Sequence, residues 1–252
     1  MLKARVIPVM LWRDFTLVKG VAFNPERRVG SVIQAIKVYN ARDVDELIIV
    51  DIAASLENKP LRTIEISTFA SDCHVPLTIG GGVSEVRDIE NLLQAGADKV
   101  SVNSMSYVDN SLVAKGANIF GTQCIVASVD YRLIDEKAIC FSNSGTRNEG
   151  KSLIEWTKQM ADSGAGEILL TNCDRDGTMT GYDIEMISKV SESVSVPVIA
   201  SGGAGSAEDF IEAFNAGAQA VAAGSIFHFT QLTPRMIKEA LSSAGVPVRI
   251  GI

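Results

Sequence analysis

Residues 75–104 read VPLTIGGGVSEVRDIENLLQAGADKVSVNS, and residues 196–225 read VPVIASGGAGSAEDFIEAFNAGAQAVAAGS. Aligned at an offset of 121 (196 minus 75), they share an opening Val-Pro, a Gly-Gly pair, an Asp, an Ala-Gly-Ala and a closing Ser. Each unit runs from an apolar stretch into glycines, then an amphipathic segment, a second apolar stretch and a Ser-containing end. That order predicts strand, glycine loop, helix, turn, strand and second anion-type loop, twice over.

Strand-like runs recur at 5–11, 46–51, 75–79, 99–103, 123–130, 167–172, 196–201 and 219–224, with helical patterns such as 31–42, 61–71, 85–94, 153–163, 207–215 and 234–243 between them. Runs such as LIIVD and EILLT are apolar and barely alternate, as expected of parallel strands covered on both faces. Strict strand-helix alternation without a linker or composition shift predicts a single closed (β/α)₈ TIM barrel over residues 1–252, with half-barrels of approximately 1–120 and 121–252. A doubly wound open sheet is the alternative; two equal halves close more naturally into one ring.

The repeat extends upstream. Glu46 matches Glu167 and Asp51 matches Asn172 at the same offset. For the first and fifth strands the best offset is 119 (130 minus 11), which sets Leu11-Trp12 against Asp130-Tyr131.

Barrel chemistry sits on the loops after the strands. The glycine ends 80–82 and 202–203, with Asn103, Ser104, Gly224 and Ser225 on neighbouring strands, place backbone N–H groups and hydroxyls for two phosphates. Tight strand-to-helix turns alone also explain glycines there. The segment TNCDRDGT, residues 171–178, carries Asp176 as a ligand acceptor or is a solvated turn. Residues 132–142 alternate like a ribbon and continue to Arg147, a lid or substrate wall. Asp130 is the foremost acid-base candidate, against a purely hydrogen-bonded structural role. Asp14 and Lys19 sit in the first loop, within reach of the mouth. His74 and His228 read as structural.

Arg5, Glu46, Lys99 and Glu167 each fall at a strand's start, hence at the barrel's base. Structural ion pairing and a gate for a small polar molecule both fit this set.

A net charge of -7 excludes a nucleic-acid footprint. The four cysteines lie far apart without a CxxC pair, consistent with reduced thiols in a cytoplasm and against zinc. The N-terminal MLKARVIPVMLW is interrupted by Arg5 and Pro8 and has no cleavage signature, and no apolar run is long enough to cross a bilayer.

From MLKARVIP through KG, GADK, NS, SVD, DRDGT, GYD and SGGAGS to the closing VPVRI, the chain resembles the cyclase subunit of imidazole glycerol phosphate synthase, the HisF family. The resemblance implies ammonia made by a HisH-like glutaminase at the barrel base, passing four charged residues to a bis-phosphorylated substrate at the top. On that pattern Arg5, Glu46, Lys99 and Glu167 are the ammonia gate, which reverses the balance in favour of the gate. Asp98 and Gln123 meet the glutaminase. Gly82, Asn103 and Ser104 hold one phosphate, and Asp176, Gly177, Gly203, Gly224 and Ser225 the other, with Lys19 nearby. Neither metal nor cofactor is implied.

The family's cyclisation uses an aspartate at the end of both the first and fifth strands. Asp130 matches the second; the first falls on Leu11. The departure points to a paralogue that works with a glutaminase and a separate ATP-dependent amidotransferase in sugar amidation for surface polysaccharides. The alternatives are the histidine-pathway cyclase, with Asp14 or water replacing the lost acid, and a non-catalytic scaffold that activates the glutaminase.

Overall fold

A computed structural model describes residues 3–57 and 59–250, apart from the side chains of residues 25 and 26. The terminal residues of the predicted domain, 1, 2, 251 and 252, lie outside the described residues, as does Asn58.

Twelve strands form along the described chain: β1 Arg5–Arg13, β2 Thr16–Val21, β3 Asn24–Gly30, β4 Leu47–Asp51, β5 Leu77–Gly80, β6 Lys99–Val102, β7 Ile125–Ile134, β8 Lys137–Ser142, β9 Arg147–Ser152, β10 Glu167–Asn172, β11 Val198–Ser201 and β12 Ala220–Ala223. The helices are α1 Val32–Asn40, α2 Ala54–Glu57, α3 Thr63–Asp72, α4 Val86–Gln94, α5 Leu112–Phe120, α6 Leu153–Asp162, α7 Ile184–Ser193, α8 Ala207–Asn215, α9 Ser225–Phe229 and α10 Pro234–Ser243. Eight strands pair in parallel in the order β1-β4-β5-β6-β7-β10-β11-β12, and β12 returns to β1 in register Arg5↔Ala220. The sheet is a closed (β/α)₈ barrel.

Strands β5 and β11 start two residues later than the apolar runs suggest, because each run opens on Val-Pro. Pro76 and Pro197 lack an N–H, so they serve only as acceptors, to Leu47 and Ile168, and the ladder begins after them. Ile7, Ile48, Val126, Leu169, Ile199, Ala220 and Ala222 form one apolar cluster inside the barrel. A larger apolar shell lies between strands and helices.

Several hydrogen bonds repeat in the two halves. Asp51 Oδ1 accepts from the N–H groups of Ala53 and Ala54, and Asn172 Oδ1 accepts from those of Asp174 and Arg175. A Cβ on Gly81 would lie 2.1 Å from the Asp51 carbonyl oxygen, and one on Gly202 would lie 2.6 Å from that of Asn172, so only glycine fits at either strand-to-loop crossing. Capping boxes start α4 from Glu85 and Asp88 and α8 from Ser206 and Asp209.

The first loop carries a ribbon that the sequence reading assigned only to the fifth. Strand β2 turns back on β1, with β3 beside it, as β8 and β9 do on β7. The first turns, Asp14–Phe15 and Asp135–Glu136, all have positive φ and lie at offset 121 (135 minus 14). The two-residue discrepancy is therefore confined to the stretch between each barrel strand's end and that turn.

Among the described residues no helix is long and apolar enough to cross a membrane.

Candidate active site

Strand register settles the position of Leu11. It pairs with Val50 one residue before Trp12 meets Asp51; Asp130 pairs with Thr171 one residue before Tyr131 meets Asn172. Leu11 is thus the half-turn equivalent of Asp130, at the same height on the opposite wall. Both line the cavity at the strands' C-terminal ends, together with Gly82, Asn103, Ser104 and Asp176.

Asp130 is buried, and Asn103 Nδ2 donates to its Oδ2 at 2.8 Å. Burial, then repulsion from Asp176, pushes its carboxyl up to about 7, against the hydrogen bonds of Asn103 and Thr171. Such a group holds or releases a proton at neutral pH. Asp176 is itself raised by burial, opposed by Lys19 and by the Gly177 N–H.

A second, adjoining cavity is lined by Lys19, Gly177, Gly203, Gly224 and Ser225. The Lys19 ammonium reaches across from β2 and donates to the Val9 carbonyl at 2.7 Å. Burial lowers its pKa to about 8, with Asp176 opposing. A Cβ on Gly224 would stand 2.2 Å from Lys19 Nζ, so the glycine leaves room for the ammonium. The predicted residues of each phosphate group thus come together, Gly82, Asn103 and Ser104 in one cavity and the rest in the other.

Each ribbon is tied to neighbouring loops at the mouth. Ala22 N–H donates to the Asp176 carbonyl at 2.7 Å, and Ser144 Oγ donates to the Ile52 carbonyl at 2.9 Å. Asn143 N–H donates to Ser104 Oγ at 3.0 Å, leaving that hydroxyl's own proton for a ligand. Arg132 pairs with Asp174 beneath the first ribbon's tip. The sixth loop is braced from below: Asp183 accepts from Tyr131 Oη at 3.0 Å and Asn172 Nδ2 at 2.9 Å, and caps α7.

Asp14 is engaged elsewhere. It lies exposed, accepting from Lys59 at 2.8 Å and Arg62 at 3.3 Å. His228 contacts Tyr39 Oη at 3.3 Å, and burial lowers its pKa to about 4, so it is neutral and structural.

At the base, Arg5 meets Glu46 at 2.8 Å and Glu167 at 2.6 Å; Lys99 meets Glu46 at 3.0 Å and Glu167 at 2.8 Å. Each cation touches both carboxylates, so the four close a ring across the barrel bottom. Asp98 and Gln123 are exposed beside their strands' starts. Asp98 also has a local task, accepting the Leu77 N–H at 2.8 Å, as Gln219 does for Val198 at 2.7 Å.

The profile of the family described as "Histidine biosynthesis protein" matches residues 5–233. The chain is 41 % identical over 251 residues to the imidazole glycerol phosphate synthase subunit HisF of Natranaerobius thermophilus, covering 99 % of this chain and 100 % of that one. It is 44 % identical over 253 residues to the subunit of that name from Caulobacter vibrioides, covering 99 % and 97 %. The Hyphomonas neptunium subunit HisF is 44 % identical over 250 residues, covering 99 % of each chain. The chain belongs to the HisF family of histidine biosynthesis proteins.

Within this HisF-family barrel the structure adds residues that motif reading passed over. Val9, Val50 and Ile52 wall the larger cavity beside Leu11, with Phe23 at its rim. Their apolar runs read equally well as core, so only the barrel's inward-outward alternation could have marked Val9 and Val50. Asn143 and Ser144, which bond to Ser104 and Ile52, lie in the stretch up to Arg147 expected to form a lid or substrate wall.

Proposed function

We propose that this chain is the ammonia-accepting synthase subunit of a glutamine amidotransferase pair of the imidazole glycerol phosphate synthase type, acting on a phosphorylated small molecule. One observation carries this: a closed ring of two cations and two carboxylates at the barrel base lies beneath two glycine-lined cradles and Asp130 at the mouth. A HisH-like glutaminase docks on the base over Asp98 and Gln123, and ammonia passes the ring of Arg5, Glu46, Lys99 and Glu167. The phosphates rest on Gly82, Asn103 and Ser104 and on Lys19, Asp176, Gly177, Gly203, Gly224 and Ser225. Asp130 transfers the proton.

The relatives' names favour the cyclisation of histidine biosynthesis over sugar amidation with a separate ATP-dependent amidotransferase. Leu11 speaks on the other side. A leucine transfers no proton, and losing one of two acid-base groups costs about 10²- to 10⁴-fold in rate. The ion pairs of Asp14 with Lys59 and Arg62 give it no part in repairing the loss. Cyclisation in this chain therefore runs slowly, on Asp130 alone.

The test supplies purified protein with ammonium and the bis-phosphorylated histidine precursor. Slow formation of imidazole glycerol phosphate, accelerated at least tenfold by Leu11→Asp, supports cyclisation on one carboxylate. Absence of product with and without Leu11→Asp removes the cyclase reading in favour of sugar amidation or a glutaminase scaffold.

A further inference from the structure

We propose that the ligand bridging the two cradles carries a hydrocarbon edge along its middle, and that Leu11, with Val9 and Val50, selects for that edge. The inference rests on the reading of a phosphorylated small molecule at the mouth and narrows its chemistry.

The two cavities share Val9, Leu11, Gly20, Asp176 and Ser201, so they form one cleft with Leu11 among the residues at its waist. Anything that reaches from one cradle to the other passes this waist. The half-turn symmetry supplies an internal comparison of its two walls. Val9, Leu11 and Val50 stand where the other half has Ser128, Asp130 and Thr171, and all six line the larger cavity. One wall offers two hydroxyls and a carboxyl; the other offers only C–H groups. Even the carbonyl of Val9 is engaged, by the ammonium of Lys19. Ile52 and Phe23 continue the apolar wall toward the rim.

A hydroxyl turned toward Val9, Leu11 and Val50 finds no side-chain partner on these three residues, and an unpaired buried hydroxyl is unfavourable. A methylene or methyl at the same place loses nothing and gains contact with Leu11. Polar groups on the opposite edge still find Asp130, Thr171 and Ser128. The ligand class that fits is a bis-anion whose linker is hydroxylated along one edge and hydrocarbon along the other.

Calorimetric titration with two bis-phosphates of equal length, ribitol 1,5-bisphosphate and pentane-1,5-diol bisphosphate, tests this. The readout is the ratio of their affinities in the native protein, in Leu11→Asn and in Val50→Thr. Taking the ratio cancels effects common to both ligands, and a missing hydroxyl partner discriminates by roughly 10-fold or more. Leu11→Asn is expected to shift the ratio about 10-fold toward ribitol bisphosphate, and the nearly isosteric Val50→Thr to shift it the same way by less. If Leu11→Asn does not fold, Val50→Thr decides alone. A ratio unchanged in the folded variants, with both esters binding, overturns the selection by Leu11 and leaves ammonia delivery from the base untouched. Failure of both esters to bind the native protein overturns it together with the phosphate reading of the cradles.

Discussion

Asp130 couples folding to pH in an unusual direction for a carboxylate. Its folded pKa of about 7 lies above the ordinary Asp value, so the folded state holds the proton more tightly than the unfolded chain does. Its contribution to stability is fully present below pH ~4 and is lost as pH rises to about 7, a swing of at most on the order of 4 kcal/mol. Asp130→Asn stays neutral throughout, so its stability relative to the native protein should rise between pH 4 and 7 and level off above. Urea denaturation at pH 5 and pH 8 measures the difference, and the same substitution should lower turnover about 10²- to 10⁴-fold. Lys19 supplies a second titration. Sulfate keeps its charge across this range, so its affinity for the Gly224 cradle should fall as pH rises through about 8, where Lys19 loses its proton. A titration of Lys19→Met should show weaker binding with no such inflection. Asp130 was legible in the sequence because a carboxylate ending an apolar strand has few structural reasons to be there. Val9 and Val50 were not, because a valine facing a ligand and a valine facing a helix have the same neighbours in the chain.

At the scale of elements, the glycine-ended strands and amphipathic helices were legible because each answers to one local requirement. Gly81 and Gly202 cross the preceding strand's end too closely for any Cβ, and Asp88 and Asp209 satisfy the free N–H groups that open α4 and α8. Asp209 Oδ2 accepts from both Gly205 and Ser206 at 2.8 Å, so it holds the helix start and the loop of the second cradle with one carboxylate. Asp209→Ala should cost about 1–2 kcal/mol in urea denaturation and weaken sulfate binding in parallel. The first ribbon was hidden for a related reason. Its turns at Asp14–Phe15 and Ala22–Phe23 take positive φ without glycine, and Asn-Gly or Asp-Gly is the usual mark of such a turn. The second ribbon turns equally irregularly at Asp135–Glu136, yet the alternation of its flanking residues betrayed it.

In the whole molecule the charge ring ties four strands together at the base. Lys99→Met leaves Glu46 and Glu167 sharing Arg5 alone, so destabilisation of roughly 1–3 kcal/mol is expected, below the cost at a fully buried pair because the ring is partly solvated. With the glutaminase present, glutamine-dependent turnover should fall well below turnover with added ammonium; equal losses of the two would mean that the ring only holds the barrel together. Several hydrogen bonds repeat in the barrel's two halves, and that has a consequence for any ligand with two like ends. Turned end for end, such a molecule would meet the same backbone donors in a perfectly symmetric barrel, giving two equivalent poses and no preferred direction for reaction. Leu11 opposite Asp130 lifts that degeneracy. Of the two directions along the cleft, only one sets a given edge of such a molecule against the Asp130 carboxyl.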